Sequence, residues 1–303
     1  MTRLLLLATL LLACASTKEP DPLYAPTENV LEALAVLRLH IDDDTYRFPP
    51  ARDFTGKNVY RAVLSRIESL EELHEEKYRS GYLVDVLLFA KGRALERLTE
   101  FELAARHYER VVHLGSPLRE AAARAQRICE KLHQTSQIAP ASGETPGEAM
   151  AHFDRRRYLL EQLIDQVQGT HYEAIVHEEI ERTDRLAAQY FAARALIEPW
   201  LDVIALQQYR NLVQSHSESK NRNRNLLDLA DQYAALSKRY VARHPPRSLR
   251  FDPATFDEYA FGATRLYETV SQQDGAVEKI EASRKLEAYL AFTLQVYEEK
   301  LPR

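Results

Sequence analysis

Apolar residues recur every three or four positions along most of this chain, and the strict alternation that a half-buried strand requires is nowhere sustained. A period near 3.6 collects those residues into a stripe on one side of a helix, so the chain can fold only by burying helix stripes against one another. Nine glycines and thirteen prolines in 303 residues leave long stretches free of helix breakers. The fold class expected is therefore all-α, built from antiparallel helix hairpins. Cysteine occurs only at Cys14 and Cys129, so no disulfide framework can staple the body and packing must hold it. Cys129, inside a helical run, reads as a small buried apolar residue.

The helices can be placed in order. Thr27-Glu28-Asn29 opens one that runs to about His40, with Val30, Leu31, Leu34, Leu37 and Leu39 as its stripe. Residues 41–56 break the period with Asp42-Asp43-Asp44, Pro49-Pro50 and Gly56. Within this loop, Arg47, Phe48, Arg52 and Phe54 flank the proline pair, a composition suited either to plugging a gap between helices or to an interface anchor. Residues 58–77 form a second helix carrying Val59, Val63, Leu64, Ile67, Leu70 and Leu73. Residues 134–147, rich in Ser, Thr, Pro and Gly, read as a linker between a helical domain at 27–133 and another at 148–303. In the latter, helices are expected over 149–167, 172–196, 200–213, 226–241, 251–270 and 276–300. Pro199 either kinks or separates the second and third of these, and the aromatic residues of 172–200 are expected in the core. Residues 215–225 read as a polar turn, with Lys220, Arg222 and Arg224 solvated.

One stretch carries a recognisable pattern. Leu88, Gly92, Leu95, Ala104, Tyr108 and Ser116 stand at the spacings L-x3-G-x2-L-x8-A-x3-Y-x7-S, across two helices at 82–98 and 102–114. This resembles the tetratricopeptide repeat, a 34-residue helix–turn–helix unit. The physics agrees: Gly92 and Ala104 are small where two antiparallel helices cross, and Leu95 and Tyr108 fill the space beside them. The family proline is displaced by one place, to Pro117, and a shift of 34 residues finds no second copy in register. The resemblance implies a solenoid-like N-terminal half whose neighbouring helices act as degenerate repeats or caps. It also implies a concave groove lined by Val86, Phe89, Arg93, Glu96 and Arg97, a mixed apolar and charged surface suited to an extended peptide of acidic character.

The N-terminus carries the other pattern. Arg3 precedes a nine-residue apolar run, Leu4 to Leu12, followed at once by Ala13-Cys14. A helix of that length rises about 14 Å against roughly 30 Å of hydrocarbon, so the run reads as a signal-peptide core and not a membrane span. Leu11-Leu12-Ala13-Cys14 resembles the lipobox of bacterial lipoproteins. That resemblance implies cleavage of residues 1–13, acylation of the Cys14 thiol, and a tether over 14–26. Ala15 in the following position implies the outer membrane as the destination.

Composition and motifs narrow the chemistry. Formal net charge is −5 with 28% charged residues, which argues against a nucleic-acid surface, since that needs a concentrated basic face. No G-x-S-x-G, phosphate-binding loop or dinucleotide glycine pattern occurs. Glu71-x-x-His74 and Glu130-x-x-His133 match a spacing used by carboxylate-bridged di-metal bundles, but both lie among charged neighbours, as a solvated face would. Asp42-Asp43-Asp44 matches no calcium loop. The sequence therefore points to a scaffold for other envelope proteins, held to the membrane by lipid, with no metal, cofactor or catalytic residue expected. An enzyme or metal-binding bundle, or a structural link between outer membrane and cell wall, stand as alternatives.

Overall fold

The computed structural model describes residues 26–45 and 58–300, so Cys14, the leader, the tether before Pro26 and the 47–54 stretch lie outside the described residues. Those described are all-α, with helices and turns and no strand among them. They form two compact units that divide between His133 and Gln134.

In the first unit, α1 (Pro26–Asp42) packs on α2 (Asn58–Leu73), and both pack on α4 (Val84–Arg97). The stripe that α1 buries is Val30, Ala33 and Leu37; Leu31 and Leu39, expected on it, are exposed. Positions 30, 33 and 37 follow the helical period, and 31 and 39 fall off its face. The second helix is shorter than its pattern predicts. It stops at Leu73, His74 leaves helical geometry, and a single turn, α3 (Glu75–Arg79), follows. Leu73 is accordingly exposed. A core of Val59, Tyr60, Val63, Ile67, Leu87 and Ala94 fills the space between α1, α2 and α4.

α4 turns into α5 (Phe101–His113) through Leu98, Thr99 and Glu100. The Thr99 amide donates to the Glu96 carbonyl (3.1 Å) and the Glu100 amide to the Leu95 carbonyl (3.0 Å), a Schellman ending. Thr99 holds φ +65°, a place glycine usually fills. The two helices then cross where the pattern put its small residues. A Cβ at Gly92 would lie 2.6 Å from Cε1 and Cζ of Tyr108, so the tyrosine ring rests on the bare glycine backbone. Tyr108 and Ala104 are fully buried. α6 (Arg119–Ser136) follows, burying Ala122, Ala125 and Cys129 and running three residues into the expected linker.

In the second unit six helices follow one another up and down: α7 (Pro146–Val167), α8 (Tyr172–Arg194), α9 (Asp202–Ser215), α10 (Arg222–Arg243), α11 (Pro253–Ser271) and α12 (Glu278–Lys300). Each packs on the one before it, and α10 also packs on α12. α7 begins three residues earlier than expected, because Thr145 accepts from the Glu148 amide while Glu148 accepts from the Thr145 amide, a capping box with Pro146 behind it. Pro199 separates α8 from α9 through a short 3₁₀ turn, Pro199–Leu201. Tyr172 and Phe191 are core residues as expected; Trp200 is not, and stands exposed on that turn.

Candidate functional site

The five residues expected to line a groove do not share one surface. Val86, Phe89 and Arg93 are half-buried on α4, with the Arg93 guanidinium 5.0 Å from the Phe89 ring centroid. Phe89 in turn meets the Tyr108 ring edge-on at 5.3 Å. Glu96 and Arg97 are buried. Glu96 accepts from the Tyr108 hydroxyl (2.8 Å), from Arg93 Nη1 (3.1 Å) and from the Cys129 thiol (3.7 Å). This carboxylate fastens α4, α5 and α6 together from the inside. Arg97 points toward the other face of α4, donating to Asp44 Oδ1 (2.6 Å) and to the Tyr60 hydroxyl (3.3 Å). The surface that remains for a ligand is Val86, Phe89 and Arg93.

The candidate metal pairs do not converge either. Glu71 bonds to Lys91, His74 packs edge-on to Tyr78 at 6.4 Å, and Glu130 accepts from Gln126 at 2.8 Å. Among the described residues no three His, Cys, Asp or Glu side chains gather as a metal site would require.

The second unit holds a polar network that the sequence reading placed in solvent. Glu181 on α8, buried, accepts from Ser219 Oγ (2.6 Å), Asn221 Nδ2 (3.2 Å), Asn225 Nδ2 (2.7 Å) and Arg185 Nη2 (3.2 Å). Arg185 Nη2 also donates to Asn225 Oδ1 (2.6 Å). Ser219, Asn221 and Asn225 of the 215–225 segment are thus partners of a buried carboxylate, and Lys220 and Arg224 are ion-paired, while Arg222 is exposed as expected. The chain of contacts continues through Asp228, which meets Arg224 at 2.9 Å, to Glu281 on α12, which Arg224 reaches at 3.2 Å. Burial pushes the Asp228 carboxyl up, against the pull of Arg224 and Arg185. Lys285 then links Glu281 (2.6 Å) to Asp231 (2.7 Å), and the Tyr267 hydroxyl donates to Asp231 at 2.7 Å. An open cleft of about 270 Å³ adjoins this end, lined by Asp231, Lys238, Tyr267, Lys285 and Tyr289 over small alanines. Burial pushes the Tyr289 hydroxyl up to about 12, and it donates to Ser237 Oγ at 2.7 Å.

Chemically, this arrangement cross-links. The carboxylate oxygens of Glu181, Glu281 and Asp231 are each met by a donor from another helix or from the adjoining turn, which suits holding α8, α10 and α12 in place. Burial of Glu181 and pairing across α8 and α10 had one sequence signal, the run of asparagines at 221, 223 and 225, which is richer in amide groups than a solvated turn needs. Helical hairpins with such internal ties define an all-α protein. No protein-family model matches the chain, and no curated protein matches it.

Proposed function

We propose that this chain is an envelope lipoprotein, anchored through Cys14 to the outer membrane and facing the periplasm, whose helical body is a docking scaffold for other envelope proteins. The anchoring half of the reading rests on the sequence Leu11-Leu12-Ala13-Cys14 behind its short apolar run. The docking half rests on one observation: Phe89 and Arg93 stack on each other on the half-buried face of α4, beside Val86. Aromatic and arginine side chains are enriched in the cores of protein interfaces, and a supported, pre-ordered pair loses little freedom on binding. Here the support is Tyr108 under Phe89 and Glu96 beside Arg93. An extended acidic peptide is the partner whose chemistry fits. The no-enzyme reading remains part of the proposal.

Two measurements test the halves separately. Labelling of cells with a clickable fatty acid should mark the wild-type protein and not Cys14→Ser, and an N-terminus elsewhere than Cys14 would remove the anchor. Crosslinking in cells, read by mass spectrometry, should lose its main partner on Phe89→Ala and on Arg93→Gln, which removes the charge while keeping a donor for buried Glu96. Unchanged partners in both variants would remove the docking surface. Arg97 is unsuited to this test, because reversing its charge would set it against Asp44 inside the fold.

A further inference from the structure

Five exposed apolar side chains of the second unit stand on or beside the turns at one end. The up-and-down order brings the 195–201 turn, the 244–252 turn and the C-terminal end of α12 to the same pole. Contacts tie these together: Arg239 on α10 reaches Asp202 at the start of α9 (2.6 Å), and Arg247 Nε donates to the Glu299 carbonyl (3.1 Å). At this pole Ile197 is 85% exposed, Val203 74% and Trp200 59%, with Leu196 beside them and Leu249 fully out in solvent. Trp200 is the only tryptophan of the chain. Pro199 and the 3₁₀ turn hold it outward, and Pro245-Pro246 stiffen the second turn.

Charge favours one occupant. The carboxylates of the two turns are engaged inside the unit: Glu144 by His152, Glu198 by Arg194, Asp202 by Arg239, and Asp252 by the first amides of α11; at the end of α12, Glu298 and Glu299 are exposed, Glu299 accepting from Gln295 at 3.3 Å. Arg243, Arg247 and Arg250 are exposed, and Arg250 makes no side-chain hydrogen bond or ion pair among the described residues. We infer that this pole docks on an anionic lipid surface, with Trp200, Ile197, Leu196, Val203 and Leu249 entering the headgroup region and Arg243, Arg247 and Arg250 meeting lipid phosphates. Tryptophan with its amphipathic ring is the side chain that most favours the membrane–water boundary, and apolar corners flanked by arginine are how a folded body binds there. The patch is a convex set of turns and not a groove, which suits a bilayer better than a peptide. This inference does not depend on acylation of Cys14; it gives the body its own contact with the bilayer.

The single tryptophan supplies the assay. The chain from Ala15 to Arg303, which lacks the apolar leader and its cysteine, is mixed with phosphatidylethanolamine–phosphatidylglycerol vesicles and, separately, with phosphatidylcholine vesicles. Anionic vesicles should shift Trp200 emission to the blue, protect it from an aqueous quencher and carry the protein into the vesicle pellet, with weaker effects on phosphatidylcholine. Arg250→Gln should lower partitioning on anionic vesicles about five-fold, the equivalent of about 1 kcal/mol, and leave phosphatidylcholine unaffected. Ile197→Ser should weaken both while leaving far-UV circular dichroism and the melting curve unchanged, because the side chain is exposed. Emission and sedimentation unmoved by either vesicle would overturn the inference. So would an Ile197→Ser variant that binds as the parent does, or emission that responds to protein concentration and not to lipid, which would make the pole an interface between copies.

Discussion

Gly92→Ala is the substitution whose sign tests the packing argument most sharply. In an exposed helix interior this change stabilises by about 1 kcal/mol, because alanine loses less backbone freedom on folding. Here the added Cβ would stand 2.6 Å from two carbons of Tyr108, about 1 Å inside ordinary carbon–carbon contact. The ring cannot swing aside. Its hydroxyl is held by buried Glu96 at 2.8 Å, its edge contact with Phe89 is at 5.3 Å, and the residue is fully buried. Overpacking of a rigid site costs about 1–3 kcal/mol, and the lack of any escape places this site at the upper end. Subtracting the propensity gain leaves a net loss of about 2 kcal/mol, or about 1 M in the urea midpoint for a slope near 2 kcal/mol per M. Far-UV circular dichroism follows both units, whereas the fluorescence of Trp200 follows the second alone, so the loss should show in the first signal and not in the second. Tyr108→Leu in the same chain should restore the ordinary sign, with Gly92→Ala then neutral or stabilising. A single variant as stable as the parent, or a double variant with no coupling, would refute the account of the crossing.

Two other expectations follow from buried polar groups. Glu181→Leu should cost the second unit about 2–3 kcal/mol, since it removes the buried acceptor shared by Asn225, Asn221 and Ser219, while Arg185 keeps Asp228 (3.6 Å) and Asn225; a Trp200 fluorescence midpoint within error of the parent would show the network to be dispensable. His107 is held down to about 4 from its ordinary 6.5, first by burial and then by the Lys91 and Arg110 charges. Between those values the unfolded chain takes up a proton that the folded chain refuses, so His107 costs nothing above about pH 6.5 and erodes stability as pH falls toward 4. His107→Asn should flatten the dependence of the urea midpoint on pH across that window, and a profile parallel to the parent's would rule the histidine out.

The sequence carried the all-α class and the placement of most helices, because periodicity reports which stripe is buried and prolines report where a helix can begin. The tetratricopeptide-like spacing put Gly92 and Ala104 at a helix crossing with Leu95 and Tyr108 beside them; that the Tyr108 ring lies directly on Gly92 is a matter of ring orientation, which spacing does not carry. Charge placement was the illegible part. Glu96 and Arg97 sit two turns of reasoning away from any periodic signal, since a charged residue on a helix reads as solvated unless its partner is known, and the partners Tyr60, Asp44 and Cys129 lie 33 to 53 residues distant in the chain. The same holds for Glu181, whose donors other than Arg185 stand 38 to 44 residues on. The start of α7 is legible in the sequence itself, where Thr145-x-x-Glu148 spells a capping box ahead of the first periodic apolar residue. Trp200 was expected in the core on hydrophobicity alone, whereas Pro199 and the turn it imposes decide its direction.

The line of ion pairs from Glu181 to Asp231 also bears on how the second unit can deform. Apolar packing alone resists a slide along the axis through the voids it opens, a cost that grows with the displacement. A slide of one turn, about 5.4 Å, between α8 and α10 would carry Asn225 out of reach of Glu181 and leave a buried carboxylate facing hydrocarbon. The helices are therefore indexed, like teeth on a rack, at a single setting. Under tension such a body stays at full length until the teeth disengage together, and then yields abruptly, where a purely apolar stack would give way by degrees.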